Sequence, residues 1–389
     1  MDRRRMTILQ VLPALESGGV ERGVLEIAEA IVAAGHRSLV VSSGGRLVKQ
    51  LTEQGTEHFY CPLGAKSPLT LRWSFWLRRF LQEQRVDLVD IHSRVPGWVT
   101  WLAWKSLPAT SRPRLISTVH GLHSVSRFSS IMCCGELVIV VSDSVRDYVR
   151  QNYLQVPEQR LRLVPRGIEG TEFPRGFQPS DAWKQTFFDM YPELRGRSLV
   201  TLAGRVTRLK GHPDFLNVLA SLRERGLNVH GLIVGDADPR RKGYQDELRR
   251  LISTLQLEDR VTWTGYRQDM LQIYASSQIV TSFSAAPESF GRTVAEALSA
   301  GTPVIAYDHG GVREILSAQF PEGLIPAGDV ATAVQRAEAI LSDPDAFRRI
   351  GPNPFEKSEM LRGTLEVYGE LLAERSGAAK ALLRSQDSE

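Results

Sequence analysis

Short apolar runs alternate with longer amphipathic stretches along the whole chain, and this alternation is the strongest constraint on how it can fold. "MTILQVL", "SLVVSS", "VDLVDIH", "RLISTVH", "ELVIVVS" and "LRLVPRG" have the length and content of strands in the first half. After the first of them, residues 19–34 set Val20, Val24, Leu25, Ile27, Ala28 and Ile31 on one helical side. The second half repeats the scheme with "SLVTLAG", "VHGLIVG", "RVTWTG", "QIVTSFS" and "TPVIAYD". Helical patterns near 213–226, 243–256, 268–276 and 290–300 separate them. Strands that are apolar on both faces belong in a parallel sheet covered by helices. The expected fold is therefore α/β, with two doubly wound Rossmann-like domains facing a central cleft. The expected bounds are 1–170, a linker at 171–196, 197–352, and a helical tail at 353–389 that crosses back to the first domain. In such sheets ligands gather at the carboxyl ends of the strands, so the informative residues should follow strands.

Composition narrows the class. The 389 residues are 42% hydrophobic and 24% charged, as in a globular protein. No apolar run reaches the roughly 18 to 20 residues of a membrane span. The N-terminal "MDRRRMTILQVL" feeds into a Gly-Gly turn and reads as a first strand, not a secretory leader. Three cysteines, Cys61 and the vicinal Cys133 and Cys134, suit a reducing compartment without a disulfide framework. Residues 1–180 carry 23 Lys and Arg against 16 Asp and Glu, whereas residues 181–389 carry 25 against 28. A basic front half suits an anionic partner. No nucleic-acid motif is present, so nucleic acid is not expected.

Three loops follow strands and carry candidate chemistry. In "APESFGRTVAEALSAGTPVIA", Glu288 and Ser289 precede a Gly-containing turn at Phe290 and Gly291, and a helix begins near Phe290. Amide N–H groups at that helix start favour an anion, and Gly291 lets backbone approach it closely. Glu288 would oppose a phosphate there, so it suits neutral hydroxyls, and Glu296 further along could hold a second diol. The bland alternative is an N-terminal helix charge at Glu288 and an i, i+4 pair between Glu296 and Arg292. In "LAGRVTRLKGHPDF", Arg205, Arg208 and Lys210 lie between Gly204 and Gly211. These cations could clamp a diphosphate, or form a solvated basic loop. In "ALESGGVERGVLEIAEAI", Gly18 and Gly19 open a helix, a weak phosphate signal without the full dinucleotide fingerprint.

"SGGVERGVLEIAEAIVAAGH", "GRVTRLKG", "GLIVGD", "VTWTGYRQDM" and "PESFGRTVAEALSAGTPVIAYDHGGVREIL" occur in this order. Together they resemble the retaining GT-B-fold glycosyltransferases of the family 4 type, and Glu288 with Glu296 resembles that family's E-x7-E pair. The resemblance covers essentially the whole chain and is strongest over 199–316. It implies that Arg205 and Lys210 meet the donor diphosphate and that Glu288 holds hydroxyls of the transferred sugar. The N–H groups of Phe290, Gly291 and Arg292 would lie near phosphate and sugar, Glu296 on the ribose diol, and Tyr266 beside the nucleobase. Gly18 and Gly19 would approach the diphosphate and acceptor, and His120 the donor sugar. His92 and His123 are read as structural histidines. One departure is Arg166-Gly167-Ile168-Glu169, where relatives usually carry Asn-Gly-Ile/Val-Asp. Two readings of Arg166 stay open, a hinge salt bridge and a contact to an anionic acceptor.

The implied reaction moves a hexose-type sugar from a UDP-, GDP- or ADP-sugar, with no cofactor and no metal. Negative charge growing on the diphosphate would be met by Arg205, Lys210 and the helix start at 290–292. Asp236-Ala237-Asp238 mimics a D-x-D metal motif but lies on another loop. Retaining hydrolases set a nucleophile about 5 Å from an acid across the scissile bond. Glu288 and Glu296 lie on one element, so neither is cast as nucleophile. The resemblance implies a front-face route in which the leaving phosphate helps deprotonate the acceptor.

The acceptor expected is a glycan or lipid-linked glycan, as in lipopolysaccharide or other cell-surface polysaccharide synthesis, with soluble acceptors an alternative. A sugar-nucleotide epimerase of related fold is the rival class. Five of seven tryptophans fall in 73–104, near Arg72, Arg78, Arg79 and Lys105. They suggest either an interfacial face on an anionic membrane or core-facing helices. The expected location is cytoplasmic, with peripheral contact at the inner face of the membrane.

Overall fold

The computed structural model describes residues 4–386 apart from 17, 66, 237–241 and 348, with the backbone alone for 242 and 374–386. The chain divides into two compact units, one of residues 1–165 and 358–389, the other of 166–357.

The first unit is built on a seven-stranded parallel sheet. Its strands are β1 (Thr7–Val11), β2 (Arg37–Ser42), β3 (Glu57–Tyr60), β4 (Leu88–Ile91), β5 (Arg114–Val119), β6 (Leu137–Val140) and β7 (Leu161–Leu163). Their order is β3-β2-β1-β4-β5-β6-β7, so the direction of winding reverses between β1 and β4. Helices α1 (Gly19–Ala33), α2 (Val48–Glu53), α3 (Trp73–Glu83), α4 (Arg94–Lys105) and α5 (Asp143–Asn152) make the crossovers. The C-terminal helix, Lys357–Gln386, joins this sheet. Its Met360, Val367, Tyr368 and Leu371 pack with Ile8, Leu88 and Ile116.

The tryptophan stripe faces inward. Trp73, Trp76, Trp98, Trp101 and Trp104 are partly buried against the core. Trp98 Nε1 donates to the Phe128 carbonyl at 3.0 Å and Trp104 Nε1 to the Pro113 carbonyl at 2.7 Å. Of the two readings of these rings, the core-facing one fits this packing, with the indole N–H groups of Trp98 and Trp104 partnered within the unit. What α3 and the turn before it expose instead is Leu69, Leu71 and Phe75, next to Arg72, Arg78 and Arg79.

The second unit has six parallel strands: β8 (Ser198–Ala203), β9 (Val229–Val234), β10 (Val261–Gly265), β11 (Ile279–Ser282), β12 (Val304–Tyr307) and β13 (Leu324–Ile325). Their order is β10-β9-β8-β11-β12-β13, so the reversal falls between β8 and β11. Around them lie α6 (Asp181–Met190), α7 (His212–Glu224), α8 (Lys242–Thr254), α9 (Met270–Ser276), α10 (Arg292–Ala300), α11 (Gly310–Gln319) and α12 (Val330–Ser342). All six residues of β9 are buried, as an apolar strand covered on both faces must be.

The stretch 171–196, expected as a linker, is folded into this unit. Phe173, Phe187 and Leu194 are part of its core, and Trp183 Nε1 donates to Asp269 at 2.7 Å. Ile168 is fully buried and pairs with Glu356 in a parallel bridge. A Cβ on Gly167 would stand 2.3 Å from the Glu356 carbonyl oxygen, so only glycine fits there. Glu169 pairs with Lys357 at 3.1 Å.

Candidate active site

Because β8 and β11 are neighbours at the reversal, the loops after them emerge side by side. They are laced together. The Ala285 N–H donates to the Leu209 carbonyl at 2.8 Å. Gly211 sits at φ +69, and a Cβ there would lie 1.7 Å from the Phe283 carbonyl oxygen. That combination of left-handed backbone and close approach admits glycine alone.

The lacing brings two predicted residues into contact. Lys210 Nζ lies 2.8 Å from both Glu288 carboxylate oxygens. The two side chains are only 20% and 16% exposed. Ser284 Oγ also donates to the Glu288 carboxylate, and His309 Nε2 lies 3.0 Å from the Ser284 carbonyl. Burial alone would raise the Glu288 carboxyl. The Lys210 charge, with the hydrogen bonds from Lys210 and Ser284, outweighs it and holds the group below the ordinary carboxylate range. Glu288 is thus an ionised group that can only accept hydrogen bonds.

Helix α10 starts two residues later than the sequence pattern suggests. Gly291 at φ +110 is its N-cap, and Phe290 precedes it as a buried side chain. The left-handed turn explains the shift, since a helix cannot begin until the chain leaves that conformation. Glu296 is 4% exposed. Arg292 Nε donates to its Oε1 at 3.0 Å, and Tyr274 OH to its Oε2 at 3.1 Å. The i, i+4 pair offered above as the bland alternative is therefore present.

Around this centre, Arg205 is exposed on the loop after β8. Tyr266, 46% exposed, follows β10, and its N–H donates to Asp236 Oδ1 at 3.0 Å. Asp236 is thereby engaged with backbone, while Ala237 and Asp238 lie outside the described residues. Arg208 is turned away to Glu247 at 2.6 Å, its guanidinium over the Tyr244 ring.

Sequence reasoning gave no role to Ser284, His309, Gly310 or Gly311. A Cβ on Gly310 would stand 2.5 Å from the Glu288 carbonyl oxygen, and one on Gly311 2.5 Å from the Phe290 Cα. The Gly311 N–H donates to the Glu288 carbonyl at 2.8 Å. The paired glycines in "YDHGGVREIL" were the available signal: they let α11 press against the loop that carries Glu288.

The other predicted residues belong to the first unit. Gly18 is the N-cap of α1 and Gly19 its first residue. A Cβ on Gly18 would meet Glu21 Oε2 at 2.3 Å, whereas Gly19 faces open space. His120 follows β5 directly, and its Nε2 lies 2.8 Å from Nδ1 of His92, which follows β4. His92, read as a structural histidine, makes its hydrogen bond to His120.

Both halves match known families. Residues 17–171 match Glycosyltransferase Family 4, and residues 185–356 match Glycosyl transferases group 1. The D-inositol 3-phosphate glycosyltransferase of Nocardia farcinica is 27% identical over 328 residues, 75% of this chain and 68% of that protein. A solved glycosyltransferase from Rickettsia africae is similar over 95% of this chain and 99% of its own, with TM-score 0.81 and 27% identity. Anabaena HepE, solved with UDP-glucose, shares the fold at TM-score 0.78 and 22% identity, over 94% of this chain and all of its own. The Nocardia and Rickettsia relatives are glycosyltransferases, and the epimerase reading is not favoured.

Proposed function

Since the chain is a GT-B glycosyltransferase with a family 4-like first half and a group 1 second half, we propose that it is a retaining, metal-independent hexosyltransferase. Its donor is a UDP-, GDP- or ADP-sugar, and its acceptor an anionic glycan or lipid-linked glycan of the cell surface, such as lipopolysaccharide. The observation that carries the reading is the buried Lys210–Glu288 pair beside the left-handed Gly291 turn. Glu288, kept ionised by Lys210, accepts hydrogen bonds from the sugar hydroxyls. The diphosphate lies at the start of α10, where the amides of Phe290, Gly291 and Arg292 and the helix dipole favour negative charge.

As the anomeric C–O bond breaks, the electron pair goes to the diphosphate. Lys210 and those amides are fixed in place before the charge develops, which is how such stabilisation lowers the barrier, and exposed Arg205 adds its charge. Tyr266 borders the nucleobase, and Glu296 takes the ribose diol while held by Arg292 and Tyr274. The acceptor's proton passes to the leaving phosphate on the same face, so configuration is kept. His120 serves the transferred sugar, and Gly18 and Gly19 the acceptor side. The basic first half supports an anionic acceptor. Phe75, 80% exposed beside Arg72, Arg78 and Arg79, supports peripheral contact with an anionic membrane. The relative named for D-inositol 3-phosphate supports an anionic acceptor.

The test is a thermal-shift screen of UDP-glucose, UDP-galactose, GDP-mannose and ADP-glucose, each with and without EDTA. A ligand bound only by the native state raises the melting temperature, by an amount set by RT ln(1 + [L]/Kd). At least one nucleotide sugar should stabilise the protein equally with EDTA present, and Glu288→Gln should abolish the shift. A shift that needs a divalent ion, or no shift with any donor, would overturn the reading.

A further inference from the structure

Two neighbouring strands of the first unit end in histidines, and a buried carboxylate lies beneath them. Asp90, within β4, is fully buried. A buried carboxylate must be paired or hydrogen-bonded to stay charged. Asp90 accepts from Thr118 Oγ1 on β5 at 2.9 Å and from the Tyr368 hydroxyl at 2.6 Å. Tyr368 comes from the C-terminal helix, 278 residues further along the chain. His92 lies two residues beyond Asp90, so both side chains leave the same face of the strand. Its Nε2 is 3.5 Å from Asp90 Oδ2. Its Nδ1 is 2.8 Å from His120 Nε2, and the two rings stack with an interplanar angle of 17°.

We propose that His92 is a positioning residue for His120, and that Asp90, held by Thr118 and Tyr368, fixes which nitrogen of each ring carries the proton. Asp90 already accepts from two hydroxyls and faces His92 as an acceptor, so the His92 nitrogen that faces it carries hydrogen. Nδ1 of His92 is then the acceptor, and His120 must donate to it from Nε2. His120 is left with an Nδ1 lone pair, which accepts from a hydroxyl and does not donate to one. The relay thus selects one of the two faces His120 can present, much as the buried aspartate of a serine protease selects a tautomer. The relay's bearing on catalysis rests on the assignment of His120 to the transferred sugar, but the tautomer itself does not. Neither histidine's motif hinted at this, since Tyr368 enters from a helix far away in sequence.

The experiment is NMR of the full chain with 15N-labelled histidine rings, with His120 assigned from the spectrum of His120→Ala. The wild type should show both His92 and His120 protonated at Nε2, with a slowly exchanging ring N–H on His120. His92→Phe should lose that protected signal. His92→Asn, whose Oδ1 stands where Nδ1 stood, should restore it. In Asp90→Ala no acceptor faces His92, so both rings should become mixtures of the two tautomers. A proton on Nδ1 of His120 in the wild type overturns the proposal, even where a variant fails to fold. So does a protected N–H that survives His92→Phe, or an Asp90→Ala spectrum with His120 unchanged. If the tautomers are as stated and no nucleotide sugar binds, the proposed function fails and the relay stands. If a donor binds and the tautomer is wrong, the reverse holds.

Discussion

Replacing Lys210 by methionine leaves Glu288 buried without its cation, and the consequence can be bounded from both sides. Removing one partner of a buried pair typically costs about 3–5 kcal/mol. The carboxyl has an escape, which is to take up a proton. Starting from the ordinary value of 4.5, staying neutral at pH 7.5 costs about 4 kcal/mol, at 1.36 kcal/mol per pH unit. That sets the ceiling, and the 16% exposure of Glu288 lowers the expected loss to about 2–4 kcal/mol. The sign of the pH dependence reverses between the two proteins. In the wild type the group sits below 4.5, so its contribution is complete above that value and is lost only as pH falls below it. In Lys210→Met it rises above 4.5, so the penalty grows as pH increases from there. At pH 5 the ceiling falls to under about 1 kcal/mol. Urea melts at pH 5 and 7.5, followed by hydrogen exchange in peptides of the second unit, read the difference. Adding Glu288→Gln should recover stability at pH 7.5 to within about 1 kcal/mol of wild type, without recovering donor binding. A loss equal at both pH values, or one that Glu288→Gln leaves in place, would refute the reasoning.

Two further outcomes follow from the same coordinates. Gly211→Ala, at φ +69 with its Cβ directed onto the Phe283 carbonyl, should lower stability by more than about 4 kcal/mol or abolish soluble expression; Gly226→Ala, also at positive φ but facing open space, should cost much less in the same melts. Burial pushes His212 and His230 each down to about 4 from 6.5, so the unfolded chain binds protons in that window that the folded chain refuses; stability should fall as pH drops from 6.5 toward 4, by roughly 3 kcal/mol for each ring at the lower end, and His230→Gln should flatten the profile.

The parts of this fold that the sequence displayed are those decided locally. β8, β9 and β11 are largely apolar runs, and position after a strand drew attention to Lys210 and Glu288, whose roles only the family resemblance supplied. β3 was missed because "EHFY" has no fully buried residue, and β13 because it is two residues long. Helix α11 went unassigned because its Gly310 and Gly311 look like loop, whereas their purpose is to let the helix touch the Glu288 backbone. The tryptophans of α4 were ambiguous in principle. A stripe at helical spacing says that one side avoids water, not what covers it, and here α3 and the rest of the first unit's core do. His92 was undervalued for a similar reason: a hydrogen bond to another strand's end, and a carboxylate held by residue 368, leave no mark on a short window.

The arrangement of charge in the second unit also says how a site can be rich in cations and still fold without a ligand. Lys210 is matched by Glu288, Arg292 by Glu296 and Arg208 by Glu247. Each match removes a charge that would otherwise repel its neighbours in a confined space. Arg205 is exposed and has no ion pair among the described residues. In the proposed function an incoming diphosphate meets Arg205, the amides at the start of α10, and a Lys210 whose charge is already shared with Glu288. The matched pairs also serve position. Lys210 holds Glu288 ionised and in place, and the hydrogen bonds from Arg292 and Tyr274 hold Glu296 in place. A carboxylate with its rotamer already fixed loses little entropy when it accepts a hydroxyl, and recognition of a neutral sugar can then be strong beside an anion. Under the proposed function Arg205 and Lys210 would then set the attraction for the phosphates, while the two acids would set which sugar and ribose hydroxyls fit.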